Sequence, residues 1–110
     1  MANEKFRDST LSPAERAADL LSRLTLREKV GQVNQRLYGF NSYTRTGDRV
    51  ELSEDFQKEV ERWGGLGVLY GLYRADPWAD KDYATGLTGD TAVGAYNLGQ
   101  QYVIEHSRFG

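Results

Sequence analysis

Six residues between positions 73 and 82 carry side chains that could do chemistry: Tyr73, Arg74, Asp76, Trp78, Asp80 and Asp82. Closely spaced carboxylates suit hydrogen bonding to hydroxyls or acid/base work. The same spacing also fits a solvated charged loop, balanced by Arg74 and Lys81. The aromatic residues point more specifically. Sugar rings offer flat C–H faces to aromatic rings, and a guanidinium fork binds hydroxyls. Arg74 and Trp78, with Tyr73 beside them, are therefore the candidate substrate-binding residues; the alternative is that Trp78 packs the loop onto its surroundings. His106, the only histidine, could shuttle a proton, but it falls at a helix C-terminus, where an imidazolium caps or sits at the surface. Gly64-Gly65-Leu66-Gly67 looks like a phosphate loop, yet it precedes an apolar run instead of following one and opening a helix. It is not read as a nucleotide site.

Composition narrows the chemistry. The chain has 110 residues, enough for one domain at most. Cysteine is absent, which removes disulfides, thiolate nucleophiles and iron–sulfur clusters. With one histidine, a two-histidine metal site cannot form within one copy. No metal and no cofactor are expected. Fourteen Lys and Arg against sixteen Asp and Glu leave a net charge of −2, without the basic excess that nucleic-acid binding requires. The seven tyrosines are too scattered for a single-strand stacking platform. No apolar stretch approaches a membrane span, and the N-terminus lacks the apolar core of a secretory signal. Cytoplasmic residence is expected.

The elements that must position these residues read as follows. Residues 1–11 are polar and expected to be flexible. Ser12, Pro13 and Glu15 form a capping box with proline at its preferred first position, opening a helix over 13–24. Thr25 and Glu28 form a second box, opening a helix over 26–37 with Leu26, Val30, Val33 and Leu37 along one side. Residues 38–52 hold turn signals and no helical period; Thr46-Gly47-Asp48-Arg49 suggests a turn between short extended pieces. Ser53 caps a third helix, 53–63, with Phe56, Val60 and Trp63 inward and Gly64-Gly65 as its stop. Gly67 to Tyr73 is a near-continuous apolar run, the pattern of a strand buried on both faces of a parallel sheet. A last helix covers 91–106, with Ala95, Leu98 and Tyr102 as its stripe and Gly99 inviting close packing.

A strand of that kind needs sheet partners, and none is read elsewhere in the sequence. The chain is therefore expected to be the start of a longer one, ending at Gly110 before its sheet is complete.

The block from Leu11 to Gln35, with Leu24-Thr25-Leu26-Arg27-Glu28-Lys29-Val30-Gly31-Gln32 at its centre, resembles the N-terminal signature of glycoside hydrolase family 3, particularly its β-glucosidases. Gly65-Leu66-Gly67-Val68-Leu69-Tyr70 is similar to that family's first barrel strand. Ala95 to Gly110 resembles the helix before its second strand. The resemblance spans roughly residues 11–110, apart from 38–52. It implies an α/β fold: the truncated N-terminal part of a (β/α)8 TIM-type barrel, residues 12–110, mostly helical in itself with one core strand at 67–73. It implies a retaining exo-β-glycosidase, which needs two carboxyl groups about 5–5.5 Å apart across the scissile bond. In the family the nucleophile, the acid/base and the sugar-binding Asp, Arg and Lys-His lie beyond the part matched by this chain. No catalytic residue is carried over, and the chain alone is expected to be inactive. A β-linked oligosaccharide or glycoside is the implied substrate. β-Xylosidase and N-acetylhexosaminidase activities occur in the same family, and nothing in these residues separates them. The competing reading is an independent, α-rich interaction module. It must pair or cover residues 67–73 internally, whereas a fragment leaves those edges open, self-associates through them, or borrows a partner from 38–52.

Overall fold

The computed structural model describes residues 3–71, 73, 75–84 and 86–110. The chain is mixed α/β: α1 (Pro13–Arg23), α2 (Leu26–Val33), β1 (Gln35–Arg36), β2 (Tyr43–Thr46), β3 (Arg49–Leu52), α3 (Glu54–Trp63), β4 (Val68–Leu69) and α4 (Gly89–His106). Single 3-10 turns occupy Lys5–Arg7 and Pro77–Ala79. Among the described residues no helix is long and apolar enough to cross a membrane.

The helix starts follow from local chemistry. Ser12 and Thr25 both close reciprocal capping boxes, with Glu15 and Glu28. Ser53 accepts the Phe56 N–H, and Gly64 ends α3 in a left-handed conformation at φ 69°, which glycine adopts without a Cβ clash. Phe56 and Val60 are fully buried. The expected turn at Gly47 and Asp48 joins β2 and β3 into an antiparallel hairpin, Tyr43 opposite Leu52 and Thr46 opposite Arg49.

The strand expectations need correction. Among its described residues the run 67–73 contributes two strand residues, Val68 and Leu69, and is not buried on both faces, since Val68 and Tyr70 are exposed. It does have a partner. β4 pairs in parallel with β1, Gln35 beside Val68 and Arg36 beside Leu69. The Val68 and Tyr70 N–H groups donate to the Asn34 and Arg36 carbonyls at 3.1 and 3.0 Å. The second helix, expected to reach residue 37, therefore stops at Val33.

Two features end it. Gly67 lies so close that a Cβ there would meet the Gln32 carbonyl oxygen at 2.2 Å, so only glycine lets this backbone approach. The glycine run that mimics a phosphate loop is thus a helix stop followed by a close strand approach. The second feature is Glu59, on α3. One carboxylate oxygen accepts from Asn34 Nδ2 (2.8 Å), Arg36 Nε (2.9 Å) and Trp63 Nε1 (2.9 Å), and also from Arg36 Nη2. These bonds take the side chains flanking Gln35 out of a helical course. Burial acts to raise the Glu59 carboxyl, but the Asn34, Arg36 and Trp63 donors outweigh it and hold it below the usual range.

A core cluster sits between the hairpin, the loop carrying Tyr73 and Leu87, and α4: Tyr43, Tyr73, Leu87 and Ala95, with Phe40 and Val50 against it. Gly99 is where α4 comes closest. A Cβ there would lie 3.1 Å from Tyr73 Oη and 3.4 Å from the Phe56 ring. At the opposite end the leader docks. The Phe6 ring meets Phe109 edge-on at 5.5 Å, and the Phe6 N–H donates to Asp19 at 3.0 Å.

Candidate functional site

In a parallel pair both strands point the same way, so the segments leaving their C-terminal ends emerge on one side. Here these are residues 37–41 after β1 and 70–88 after β4. Each brings aromatic rings. Tyr38 lies 5.8 Å from Trp78, centroid to centroid, at an interplanar angle of 51°, and 6.2 Å from Tyr70 in an edge contact. A cleft of about 380 Å³ opens there, lined by Tyr38, Ala75, Pro77, Trp78, Tyr83 and Leu87 among others. Trp78 is 74% exposed and Tyr83 is 95% exposed. Burial would normally claim side chains of this size.

Asp76 shapes this site. Its side chain is completely buried. Oδ2 accepts the Gly39 N–H at 2.8 Å and Oδ1 accepts the Trp78 N–H at 3.2 Å. Its backbone exchanges two bonds with Lys81, at 2.6 and 2.9 Å, which closes residues 76–81 into a tight loop with Asp80 in the left-handed region at φ 53°. Lys81 is buried as well. Its ammonium donates to Asn41 Oδ1 at 2.9 Å and lies 4.7 Å above the Tyr43 ring. Burial pushes the Lys81 ammonium below the usual lysine range, against the pull of Asp76 and Asp80.

Trp78 is thus in the open, on the strand-exit side. Arg74 lies outside the described residues. Tyr73 points the other way. It is 1% exposed, stacked on Tyr43 at 5.6 Å and edge-on to Tyr96 at 4.4 Å, so it builds core and cannot touch a ligand in the cleft. Burial pushes its hydroxyl well above the ordinary tyrosine range, and among the described residues that hydroxyl has no hydrogen-bond partner. The three aspartates do not converge as a cluster. Asp80 and Asp82 are exposed, as a solvated loop predicts, whereas Asp76 is buried and spent on two backbone amides. His106 stacks on Tyr102 at 3.8 Å, with Nδ1 2.9 Å from the Tyr102 carbonyl. It occupies the end of α4 and is remote in sequence from the cleft. Among the described residues no three metal-ligating side chains gather.

Sequence reasoning missed Tyr38, which it placed just past the second helix without a role, and the structural part of Asp76. Asp76-Pro77 followed by Trp78 is a turn signature, aspartate accepting the amide two residues on. That signal was available for Asp76. The partnership with Gly39, 37 residues away, left no trace in spacing. Compared with known proteins, the chain matches no family model, no curated protein and no solved structure.

Proposed function

We propose that this chain is the N-terminal portion of a retaining exo-β-glycosidase, most simply a β-glucosidase, and that it is inactive alone. The observation that carries the proposal is the exposed aromatic cleft at the C-terminal ends of two parallel strands. Parallel α/β folds bind their ligands on that side, and aromatic faces suit sugar rings. The residue resemblance to glycoside hydrolase family 3 supports the same reading. So does the exposure of Val68, Tyr70, Leu98 and the α2 side chains Leu26 and Val33, surfaces that further strands and helices would cover. Beside β4 an open groove runs between Phe56, Leu66, Val68, Tyr96 and Val103, and self-association along it is expected.

Retaining cleavage needs one carboxylate to attack and one neutral carboxyl to protonate the leaving oxygen. Asp76 is committed to amides, and Asp80 and Asp82 share one loop, so they cannot flank a bond from opposite sides. In this reading the chain supplies binding surface and bracing, with both reacting carboxyls on other parts of the protein. The test compares two proteins on p-nitrophenyl β-glucoside. The chain alone should show no turnover above background, and the chain extended by its downstream coding sequence should cleave with retention at the anomeric carbon. Turnover by the chain alone that Asp80→Asn stops would overturn the division of labour. Inactivity of the extended chain on every β-glycoside would overturn the function.

One observation favours the second reading, an independent interaction module: β4 finds a partner inside the chain, at β1. A sharp cooperative melt of a monomer at ordinary concentration would decide for that module; broad melting with concentration-dependent oligomers would decide for the portion of a larger enzyme.

A further inference from the structure

We propose that α2 is a docking surface for an acidic amphipathic helix, laid along the exposed stripe Leu26, Val30 and Val33 with its carboxylates beside Arg27 and Lys29. The proposal does not rest on the glycosidase reading. An extended chain that cleaves no glycoside leaves it standing, and a chain that ignores the helix leaves that reading standing.

This helix is packed inside out. Its buried residues are Glu28 and Gly31, while Leu26 is 78% exposed, Val33 80% and Val30 38%. At about 100° per residue the three apolar side chains fall within about 60° of one another, with Glu28 and Gly31 on the opposite side. Both of those residues are fixed against the body. The Glu28 carboxylate is held by Arg108, and a Cβ on Gly31 would come 3.1 Å from Trp63 Cβ. The helix cannot roll its stripe inward without breaking the ion pair and displacing Trp63. Burial would normally claim the apolar stripe and leave a glutamate outside.

Spacing and charge select the occupant. Leu26, Val30 and Val33 stand at i, i+4 and i+7, the d, a and d positions of a heptad, a seam narrow enough to meet one helix. In that register Arg27 takes e and Lys29 takes g, the positions that flank a seam and choose its partner. Glu28 and Gly31 take f and b, which here face the body. Neither Arg27 nor Lys29 is engaged in an ion pair among the described residues, and the one carboxylate of α2 is buried and bound to Arg108. The stripe is therefore rimmed by positive charge on both sides. A second copy pairing α2 with α2 would bring like charges together, which disfavours a homodimer at this face. A helix with Glu at its own e and g positions meets attraction on both flanks. The stripe holds no Trp, Tyr or Phe of the kind that anchors a helix at a bilayer interface, so a protein helix fits it better than a lipid surface.

The experiment titrates the full chain, methyl-labelled for NMR, with two three-heptad peptides. Both carry Val at a and Leu at d; one has Glu at e and g, its twin Lys. The Glu peptide should bind saturably with Kd on the order of 100 μM, shifting the methyl signals of Leu26, Val30 and Val33. The Lys twin should bind at least about tenfold more weakly. Val33→Asp should abolish binding and leave the fold intact, since that side chain stands in solvent. Should it unfold the chain, Leu26→Gln probes the same stripe. Arg27→Glu together with Lys29→Glu should reverse the preference, making the Lys twin the tighter ligand, a result that mere loss of structure cannot produce. The proposal is overturned if neither peptide gives a saturable response up to about 1 mM, if the two bind equally, or if charge reversal leaves their order unchanged. A dimer that Val33→Asp dissolves would give the face to a second copy, and binding to phosphatidylserine vesicles that Val33→Asp abolishes would give it to a membrane; either result overturns the acidic helix.

Discussion

Two buried carboxylates organise opposite ends of this molecule, and they do so differently. At the helical end, Glu28 completes its own capping box and is then gripped by Arg108, with Nε to Oε1 at 2.7 Å and Nη2 to Oε2 at 2.6 Å. The same guanidinium donates to the Arg23 carbonyl at 2.9 Å. One fork thus joins α1, α2 and the last residues of the chain. At the cleft end, the Asp76 carboxylate is satisfied by backbone amides. A side-chain cation on a long stem ties distant segments and leaves each free to keep its own shape. Backbone amides fix the shape of the loops that supply them. The first arrangement ties separate elements together; the second sets the shape of the two loops beside the cleft.

The comparison breaks most visibly where both ends depend on the same core. Phe56 is fully buried under α4 and packs on Gly99 and Tyr102. Phe56→Ala should lower unfolding free energy by about 3–5 kcal/mol, measured by urea denaturation, and should melt the clasp and the cleft together. A loss confined to one end would show that they fold separately.

Glu28→Gln sharpens the contrast next. The Arg108 guanidinium, with the Thr25 bonds, holds the Glu28 carboxyl down at about 2, from an ordinary 4.5. Arg108 is half exposed, so solvent screens the pair, and the variant should cost about 1–2 kcal/mol near neutral pH. A folded-state value below the unfolded one stabilises fully above the unfolded value and drains as pH falls. The difference between wild type and Glu28→Gln should therefore be constant above about pH 5 and shrink toward pH 2. A difference that grew on acidification would contradict the clasp.

Tyr73→Phe removes a buried hydroxyl with no hydrogen-bond partner among the described residues. Its stability should stay level or rise by up to about 1 kcal/mol, read as the urea midpoint; a clear loss would reveal a partner for that oxygen. The smallest change is expected at Trp78. Because the ring stands in solvent, Trp78→Ala should alter stability by less than about 0.5 kcal/mol. A larger loss would make Trp78 a packing residue.

Much of the frame is legible in the residues themselves. Both capping boxes, the Ser53 cap, the Gly64 stop and the turn at Gly47 are contacts within three or four positions, so side-chain type and spacing carry nearly all the information. The stripe Phe56 and Val60 is legible for the same reason. The end of α2 is not. Leu26, Val30, Val33 and Leu37 keep a helical period, yet all four are exposed, and that period continues past the point where the helix stops. Glu59, arriving on α3 from 25 and 23 positions away, takes Asn34 and Arg36 into its own hydrogen bonds, and Gly67 admits a strand where a further turn would run. Periodicity describes which face a segment offers; it says nothing about who arrives to pair with it. The cleft divides in the same way. Trp78 on a loop after an apolar run, and Asp76 before Pro77 as a turn former, are determined by local sequence. That Tyr38 becomes the opposite wall, that Tyr73 turns inward onto Tyr43, and that one carboxylate holds both loops are decided only when the parallel pairing of β1 and β4 brings their exits to one side. Contacts of that kind are set by the whole packing, because a hydrogen bond between distant segments costs chain entropy that no local pattern can record.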